Sequence, residues 1–214
     1  QLKAYKGKLQ SDGYKVYETL AGKQGLLLFG CWAHARRKVH EALKDYPRWA
    51  ALLIRQIQLL YAIEKRLRQQ KAGPALREAV RQSESTMILR RIHAICRILG
   101  PKILPKDRLG KAIAYILRQW DTLDRFAQHG EVEIDNNGLE NSIRPTAVGK
   151  KNYLFIGSPR AGHMSAIFYS IIESCRRHDI NPAEYIRDVL ERLPSCSNQN
   201  VHKLVPKLWK ETYA

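Results

Sequence analysis

Residues 25–46, GLLLFGCWAHARRKVHEALKDY, decide how the chain begins to fold. The first part, GLLLFGCW, is an apolar run bounded by glycine, which is typical of a buried strand. In the remainder, apolar residues recur at three- and four-residue steps, and this spacing predicts an amphipathic helix. The residues on this apolar face are Trp32, Ala35, Val39, Ala42 and Leu43. The sequence therefore predicts a strand that continues directly into a helix.

A second strand and helix precede this stretch. GKLQS, residues 7–11, reads as a short strand that ends next to Asp12. YKVYETL, residues 14–20, follows and is long enough for about two helical turns. Strand, helix, strand and helix in quick succession are typical of an α/β domain. We therefore assign residues 1–46 to the first part of a helix-dominated α/β fold.

Residues 47–130 carry almost no strand signal and predict an all-helical insertion. The first helix has an apolar stripe at helical spacing, formed by Leu53, Ile57, Leu60, Ile63 and Leu67. Pro74 suits the first turn of a second helix, because its missing N–H would be unpaired there in any case. Asp107 is the expected N-cap of a third helix, whose apolar stripe runs from Ala112 to Phe126.

Residues 131–193 return to mixed structure, and residues 194–214 form a polar and then basic-aromatic tail. NYLFIGS, residues 152–158, predicts a strand, and two amphipathic helices follow it. Because alternating apolar residues in a strand usually face the core, we expect Tyr153 and Phe155 to be mostly buried.

The composition narrows the class of partner. Lys and Arg outnumber Asp and Glu by 37 to 20, for a formal net charge of +17. Such an excess favours a polyanionic partner, with nucleic acid the leading candidate and an anionic membrane surface the other. No apolar run approaches the roughly 18 residues that a membrane span needs. The four widely spaced cysteines form no CxxC pair, which favours reduced, packed thiols and a cytoplasmic protein.

Two places concentrate acidic or polar side chains in this basic chain. Asp12 is the only acidic residue among the first seventeen and follows a strand. EVEIDNNGLENSIRP, residues 131–145, has a structural interpretation in which Asn137 caps a helix and Glu140 bonds back to the cap. Arg144 would face Glu140 one turn later. A functional interpretation stands beside it with about equal weight, because the same segment also holds Asp135 and Asn136.

The functional interpretation is phosphoryl transfer on DNA. That reaction uses carboxylates that converge on two divalent metal ions about 4 Å apart, which activate a water or a 3′-hydroxyl. Mg²⁺ prefers oxygen ligands and keeps several waters, so a few protein ligands suffice. Asp12 at a strand end and Glu140 on a later helix meet this requirement, with Asp135 as an alternative ligand.

Four motifs carry a resemblance to a known family. LQSDGY, GCWAHARRKVHEAL, EIDNNGLENSIRPTAVGKKNYLFIGS and DVLERLP, in this order, closely resemble transposases of the insertion sequence 66 family. The resemblance extends from about Gly7 to Pro194, and the tail VHKLVPKLWK is also similar. It implies an RNase H-like catalytic domain with an Asp–Asp–Glu triad and Mg²⁺ or Mn²⁺ as cofactor. Asp12 would be the second Asp and Glu140 the Glu, with a helical insertion between them.

The chain departs from the family pattern at its beginning. The family's first catalytic Asp lies on a strand well upstream of the second, and residues 1–11 contain no acidic residue. We therefore expect an incomplete RNase H-like domain with two of three triad carboxylates, inactive alone because both metals depend on the full set. We also expect the small sheet to expose an edge and the apolar segment Leu26–Phe29 to water.

Several basic and polar residues are candidates for supporting roles. Lys and Arg on two segments are interpreted as contacts to DNA phosphates, against the alternative of a solvated face: Arg36, Arg37, Lys38, Arg144, Lys150, Lys151 and Arg160. His34 is expected to face the site from a helix start, with Asn136 and Asn137 in support. Cys31, His34 and His40 could suggest zinc, but no second ligand pair at suitable spacing follows.

The expected function is metal-dependent DNA cleavage and strand transfer at insertion-sequence ends. The alternatives are a non-catalytic DNA-binding or assembly module, a decayed transposase remnant and a stand-alone RNase H-like nuclease. The resemblance implies DNA ends and target DNA as partners, a homo-oligomer in a transposition complex and companion proteins of the same element. It implies a cytoplasmic, nucleoid-associated protein with no membrane partner.

Overall fold

Two short strand–helix pairs open the chain in the computed structural model, which describes residues 5–213. They are β1 (Lys8–Gln10), α1 (Lys15–Gln24), β2 (Leu27–Phe29) and α2 (Trp32–Glu41). The strands pair in parallel, with Leu9 opposite Leu28. α1 ends at Gly25, whose φ of 68° is readily adopted only by glycine and lets its N–H bond back to the helix. The strand and helix order predicted from the sequence is confirmed.

Helices make up the rest of the first of two compact units, residues 1–138. They are α3 (Pro47–Gln69), α4 (Pro74–Val80), a π-helical turn (Arg81–Ser85), α5 (Thr86–Leu99), α6 (Arg108–Arg118) and α7 (Trp120–Asp124). Short 3₁₀ turns lie at Ala42–Lys44, Gly100–Lys102 and Arg125–Gln128. The predicted stripe from Leu53 to Leu67 is buried, as is the stripe from Ala112 to Phe126, so the periodicity identified the core faces correctly.

The core of this unit is built around Trp32, whose side chain is fully buried at the start of α2. Its indole N–H donates to the carbonyl oxygen of Leu123 at 2.9 Å, which satisfies the one polar group of the ring. The ring also meets Trp120 edge to face, with centroids 6.3 Å apart. The strand–helix pair is therefore anchored directly on α7.

The expected exposure of Leu26–Phe29 is wrong. Leu26, Leu28 and Phe29 are 7%, 9% and 1% exposed. The helical insertion covers them: Gly30 N–H donates to Thr122 O at 2.8 Å, and Arg125 donates to the carbonyl oxygen of Leu28. The expected exposure assumed that only further strands could cover this segment, whereas helices and their connections bury it.

Asp107 does not cap α6 as predicted. It occupies the N-cap position, but its side chain makes no capping hydrogen bond. Its carboxylate instead accepts a hydrogen bond from the Tyr46 hydroxyl at 2.6 Å. A tertiary contact has replaced the local one, and it ties the start of α6 to the start of α3.

Arg81 is the largest charged side chain buried in this unit. Its guanidinium donates to both carboxylate oxygens of Glu64, at 2.7 and 2.8 Å. Its remaining nitrogen donates to the carbonyl oxygens of Phe126, His129 and Val132, at 3.0, 2.8 and 2.9 Å. Both charged side chains are fully buried. The pair therefore fastens α3 and the π-helical turn to the segment after α7.

The second unit, residues 139–214, contains only helices among its described residues. These are the body of α8 (Asn137–Tyr153), α9 (Pro159–Arg177), α10 (Pro182–Arg192) and α11 (Pro206–Tyr213), with 3₁₀ turns at Leu193–Ser195 and Val201–Leu204. A small core forms around Cys175, Ile180, Tyr185 and Trp209. The tail packs onto this core, because Trp209 donates to Asp188 and Tyr185 donates to Leu204 O.

The predicted strand at residues 152–158 is absent in the described structure. α8 continues to Tyr153, and Leu154 follows with a positive φ of 63°. Phe155 is 76% exposed and Tyr153 41% exposed, so the expectation that these aromatics are mostly buried is wrong. A strand needs a neighbour to pair its backbone groups, and the described part of this unit offers none.

None of the described helices is both long and apolar enough to cross a lipid bilayer.

Replacing Glu64 with Gln should destabilise the first unit strongly. The change leaves the Arg81 charge buried without its counter-ion, which typically costs about 3–5 kcal/mol. Urea unfolding followed by circular dichroism measures the loss. The matched control is Glu84→Gln, which removes a carboxylate from an exposed pair with Arg66 and should cost less than about 1 kcal/mol.

The same pair predicts a pH dependence. Burial alone would raise the pKa of Glu64, but the hydrogen bonds and charges of Arg81 and Arg77 outweigh it and hold that pKa below the ordinary 4.5. A carboxyl group with a lowered pKa stabilises the fold above its unfolded-state pKa, and the contribution is lost as pH falls through the folded value. Below about pH 4.5 the stability gap between the wild type and Glu64→Gln should therefore narrow; a constant gap contradicts this assignment.

Candidate active site

The carboxyl ends of β1 and β2 form one edge, because the strands are parallel. Ser11 continues the pairing through its N–H, which donates to Phe29 O at 2.9 Å. Asp12 comes next, with an exposed side chain, and Cys31 occupies the corresponding place after β2. Ligands of open α/β sheets bind outside this end of the strands. The carboxylate of Asp12 is thus placed where a ligand can reach it.

The backbone at Asp12 is held by α6. The Tyr115 hydroxyl donates to the carbonyl oxygen of Asp12 at 2.8 Å. Burial, together with the nearby Cys31 and Asp12, raises the pKa of Tyr115 to about 12, so this hydroxyl keeps its proton at neutral pH. Gly13 follows with φ of 86°, and a Cβ there would lie 3.0 Å from the Gln119 side chain. The turn after β1 is therefore fixed by its neighbours.

The segment that contains Asp135 lies at the same sheet edge. Trp32 N–H donates to Ile134 O at 3.2 Å, and the Gln10 side-chain amide donates to Glu133 O at 2.8 Å. The same amide of Gln10 reaches Gly30 O at 3.2 Å. These bonds bring residues 133–135 against the ends of both strands. Asp135 is half-buried in this position.

Both carboxylate oxygens of Asp135 already accept hydrogen bonds. The Tyr61 hydroxyl donates to Oδ2 at 2.7 Å, and the Asn137 side chain donates to the same oxygen at 2.9 Å. Asn137 N–H donates to Oδ1 at 3.1 Å. Burial and the contact with Asp135 raise the pKa of Tyr61, so its hydroxyl remains a donor.

The start of α8 differs from the predicted cap. The sequence suggested Asn137 as the capping residue, but Asn137 is the first residue of the helix, and Asp135 accepts its N–H. An aspartate side chain commonly accepts a hydrogen bond from the backbone N–H two residues later in the chain. Here Asp135 is that acceptor, in place of the predicted cap by the Asn137 side chain. Asp135 therefore caps the start of α8, a role that the sequence pattern had assigned to Asn137.

Cys31 and His34 form a buried pair at the start of α2. Cys31 Sγ lies 3.1 Å from His34 Nδ1. Burial raises the pKa of Cys31, which keeps it a thiol. His34 is at the helix start, as predicted, whereas His40 is exposed near the helix end. Among residues 5–213 no three His, Cys, Asp or Glu side chains are grouped so as to hold a metal ion.

Glu140 lies in the first turn of α8 with an exposed side chain. It belongs to the second unit, whereas Asp12 belongs to the first. Each carboxylate thus sits on the kind of element that the sequence predicted, one at a strand end and one on a helix. Their convergence on shared metal ions stays a prediction.

The predicted DNA-contacting cations are on accessible surface. Arg36 and Arg37 are exposed and Lys38 is half-buried on α2; the others are exposed on α8 and α9, at Arg144, Lys150, Lys151 and Arg160. Arg36 also lines a cavity of about 230 Å³ with Tyr61 and Asn137, which adjoins Asp135. Within the described part of the chain, none of these seven cations forms an ion pair with a carboxylate. Asn136 adjoins the site through its backbone, which hydrogen-bonds Cys31.

Two tyrosines escaped the sequence analysis. Tyr115 belongs to the predicted apolar stripe from Ala112 to Phe126, and Tyr61 was assigned to no stripe, so neither was predicted to form a hydrogen bond. A buried tyrosine hydroxyl usually finds a hydrogen-bond partner, and that rule was the available signal. The partners themselves, Asp135 and Asp12, are 74 and 103 residues away in the sequence, so only the fold reveals them.

Two family models match the chain. Residues 1–164 match the model described as "Transposase IS66 family", and residues 170–206 match "IS66 C-terminal element". The chain belongs to the IS66 transposase family. The matched region includes Asp12 and Glu140, and the resemblance found in the sequence is confirmed.

Curated relatives come from Sinorhizobium fredii (strain NBRC 101917 / NGR234). "Uncharacterized protein y4jD" is 36% identical over 98% of this chain and 42% of its own length. "Uncharacterized protein y4qI" is 30% identical over 90% of the chain and 37% of its own length. The IS66 chain thus spans about two-fifths of these relatives. No solved structure matches it significantly.

Removing the Tyr115 hydroxyl should loosen the turn that carries Asp12. Tyr115→Phe loses one buried hydrogen bond, which should lower the free energy of unfolding by about 1 kcal/mol. Hydrogen exchange of the amides at residues 12–14 should become faster. Tyr14→Phe, at an exposed tyrosine of the same turn, serves as the control and should change neither quantity. Equal effects of the two variants would refute the positioning role of Tyr115.

Proposed function

We propose that this chain forms part of the catalytic domain of a transposase that cleaves DNA and joins strands at insertion-sequence ends. The observation that carries the proposal is the exposed carboxylate of Asp12 at the carboxyl end of a parallel strand, in a chain of the IS66 family. Carboxylates in that position are accessible to a ligand and held by a rigid element.

The domain is proposed to be RNase H-like, interrupted by the helical insertion. The parallel pair β1 and β2, joined by α1 and followed by α2, supports an α/β core. The insertion between α2 and α8 separates the two catalytic carboxylates in sequence, as the family pattern implies.

Asp12 and Glu140 are the residues that would hold Mg²⁺ or Mn²⁺. Both carboxylates are exposed, and their oxygens are suitable ligands for a hard cation that keeps several waters. Asp135 is the alternative ligand, and its two oxygens accept hydrogen bonds from Tyr61 and Asn137. When bound, the metal would supply activation of a water or 3′-hydroxyl and stabilisation of the leaving oxygen.

The protein's own side chains would hold the DNA. Cations on α2, α8 and α9 lack carboxylate partners within the described residues, so they are available to phosphates: Arg36, Arg37, Lys38, Arg144, Lys150, Lys151 and Arg160. His34, Asn136 and Asn137 support the segment beside Asp135. Residues 1–214 contribute two triad carboxylates under this proposal, so we expect no cleavage by them alone. A homo-oligomer on DNA, companion proteins of the element and nucleoid association complete the proposal.

A non-catalytic DNA-binding or assembly module is the second candidate. It is favoured by one observation, that the exposed cations of α2, α8 and α9 named above form no ion pair with a carboxylate among residues 5–213 and so can bind DNA without a metal site. Binding without cleavage by the full-length protein separates this candidate from the first.

Neutralising either carboxylate should abolish catalysis but not binding. In the full-length protein, Asp12→Asn and Glu140→Gln should each lower the rate of DNA cleavage by more than about 1,000-fold, because each removes a metal ligand. Cleavage of labelled insertion-sequence ends with Mg²⁺ and a gel-shift measurement of the dissociation constant test both parts. The control is Glu41→Gln. It removes an exposed carboxylate at the C-terminal end of α2, and this variant should cleave normally. Normal cleavage by Asp12→Asn would overturn the assignment of the site.

The salt dependence of binding should report on the phosphate contacts. If residues 1–214 neutralise, for example, six phosphates, log Kd against log salt should change with a slope of magnitude about 5. Lys150→Gln combined with Lys151→Gln should reduce that magnitude by about 2. Arg66→Gln removes a cation that is already paired with Glu84 and should leave the slope unchanged. A slope near zero for the wild type would remove the DNA-binding premise.

A further inference from the structure

Two cations from different helices lie over the ring of Tyr115. Lys38 Nζ on α2 is 5.0 Å from the ring centroid, and Arg118 Cζ on α6 is 5.9 Å from it. Cations at this distance are attracted to the electron-rich face of an aromatic ring. The ring therefore attracts a lysine and an arginine from two different helices.

A third cation, Arg37, precedes Lys38 on α2. It is exposed, and its charge acts on Tyr115 against the burial that raises the pKa of that phenol. Arg118 is exposed as well. Two cations thus lie over the ring of Tyr115, and a third is next to one of them in the sequence.

Within the described residues no carboxylate forms an ion pair with Lys38 or Arg118, although the charge of Asp12 acts on the same tyrosine. Other arginines of the same unit do have partners, such as Arg66 with Glu84 and Arg108 with Asp45. Arg37, Lys38 and Arg118 have no ion-pair partner there, and the positive potential around Lys38 and Arg118 attracts an anion. The arrangement therefore calls for an anionic ligand.

Tyr115 also connects the group to the proposed catalytic strand end. Its hydroxyl donates to the carbonyl oxygen of Asp12 at 2.8 Å, while its ring carries Lys38 and Arg118. One side chain thus sets the position of the Asp12 backbone and of two cations. An anion bound by these cations would lie near the turn that carries Asp12.

We propose that Lys38 and Arg118 form a binding site for a DNA phosphate next to the phosphate that reacts at Asp12. The proposal rests on the proposed function, since it takes Asp12 as a catalytic ligand. It adds that the helical insertion takes part in binding, because Arg118 lies on α6. Arg118 and Tyr115 are then positioning residues for the DNA strand at the reaction centre.

A scan with neutral backbone linkages tests this site in the full-length protein. Single methylphosphonates are placed at each position around the cleavage point of an insertion-sequence end, and the dissociation constant is measured for each duplex. In the wild type, one linkage adjacent to the cleavage point should weaken binding about tenfold, as expected for one lost charge-assisted contact. In the Arg118→Gln variant, a methylphosphonate at that same linkage should not weaken binding further. The magnitude of the slope of log Kd against log salt should fall by about 1.

The matched control is Arg108→Gln on the same helix. Arg108 is ten residues from Arg118, about 15 Å along α6, and it is paired with Asp45. This variant should retain the wild-type response at every linkage. Lys38→Gln is a second variant of the site and should lose the response at the same linkage as Arg118→Gln. Thermal melts confirm that each variant is folded.

The outcomes separate this proposal from the proposed function. If Arg118→Gln and Lys38→Gln respond to every linkage as the wild type does, while Asp12→Asn abolishes cleavage, the phosphate site is wrong and the transposase site stands. If Asp12→Asn cleaves normally, the proposed function fails, and with it the placement of this phosphate beside the reaction. If the wild type binds an RNA duplex more tightly than the DNA, and Arg118→Gln weakens that RNA binding, the site is assigned to RNA and the proposal is overturned.

Discussion

The buried guanidinium of Arg81 is the constraint on which the first unit depends. Moving such a charge out of water costs several kcal/mol, and the cost is offset only when its hydrogen-bonding groups find well-placed partners. Glu64 supplies the opposite charge, and the carbonyl oxygens of Phe126, His129 and Val132 take the remaining donors. Because all of these partners must be in place at once, one side chain fixes α3 against the segment that follows α7.

The segment after α7, which Arg81 holds in place, also contacts the candidate active site. Beyond Val132 it reaches Ile134, whose carbonyl oxygen accepts from Trp32 N–H, and Glu133, whose carbonyl oxygen accepts from the Gln10 side chain. The ends of both strands are thereby tied to the helical insertion. The two-stranded sheet would be marginal by itself, since a lone strand pair buries too little surface. The insertion is therefore part of the support for Asp12, in addition to separating it in sequence from Glu140.

Features that depend on local periodicity were predicted correctly from the sequence. Features that depend on contacts between distant parts of the chain were not. The stripe from Leu53 to Leu67 is buried because helical spacing alone places those residues on one face. Residues 152–158 have strand-like alternation, but a strand also needs a pairing partner, and the local pattern cannot supply one. The burial of Leu26–Phe29 and the bond of Asp107 to Tyr46 likewise depend on contacts across the fold. Arg81 was overlooked for the same reason, since a buried arginine becomes reasonable only once its partners are known.

The distribution of carboxylates separates structural cations from binding cations. With 37 basic and 20 acidic residues, the chain cannot neutralise every cation internally, so the placement of each carboxylate matters. Glu64 is used in the core, where an unpaired Arg81 could not be tolerated. At the surface near Asp12, water screens Arg37, Lys38 and Arg118, so leaving them unpaired costs little in the free protein. It also leaves their hydrogen-bond donors available, and an incoming phosphate then gains contacts without first breaking an ion pair. Under the proposed function, the cations without carboxylate partners are the places where DNA would bind.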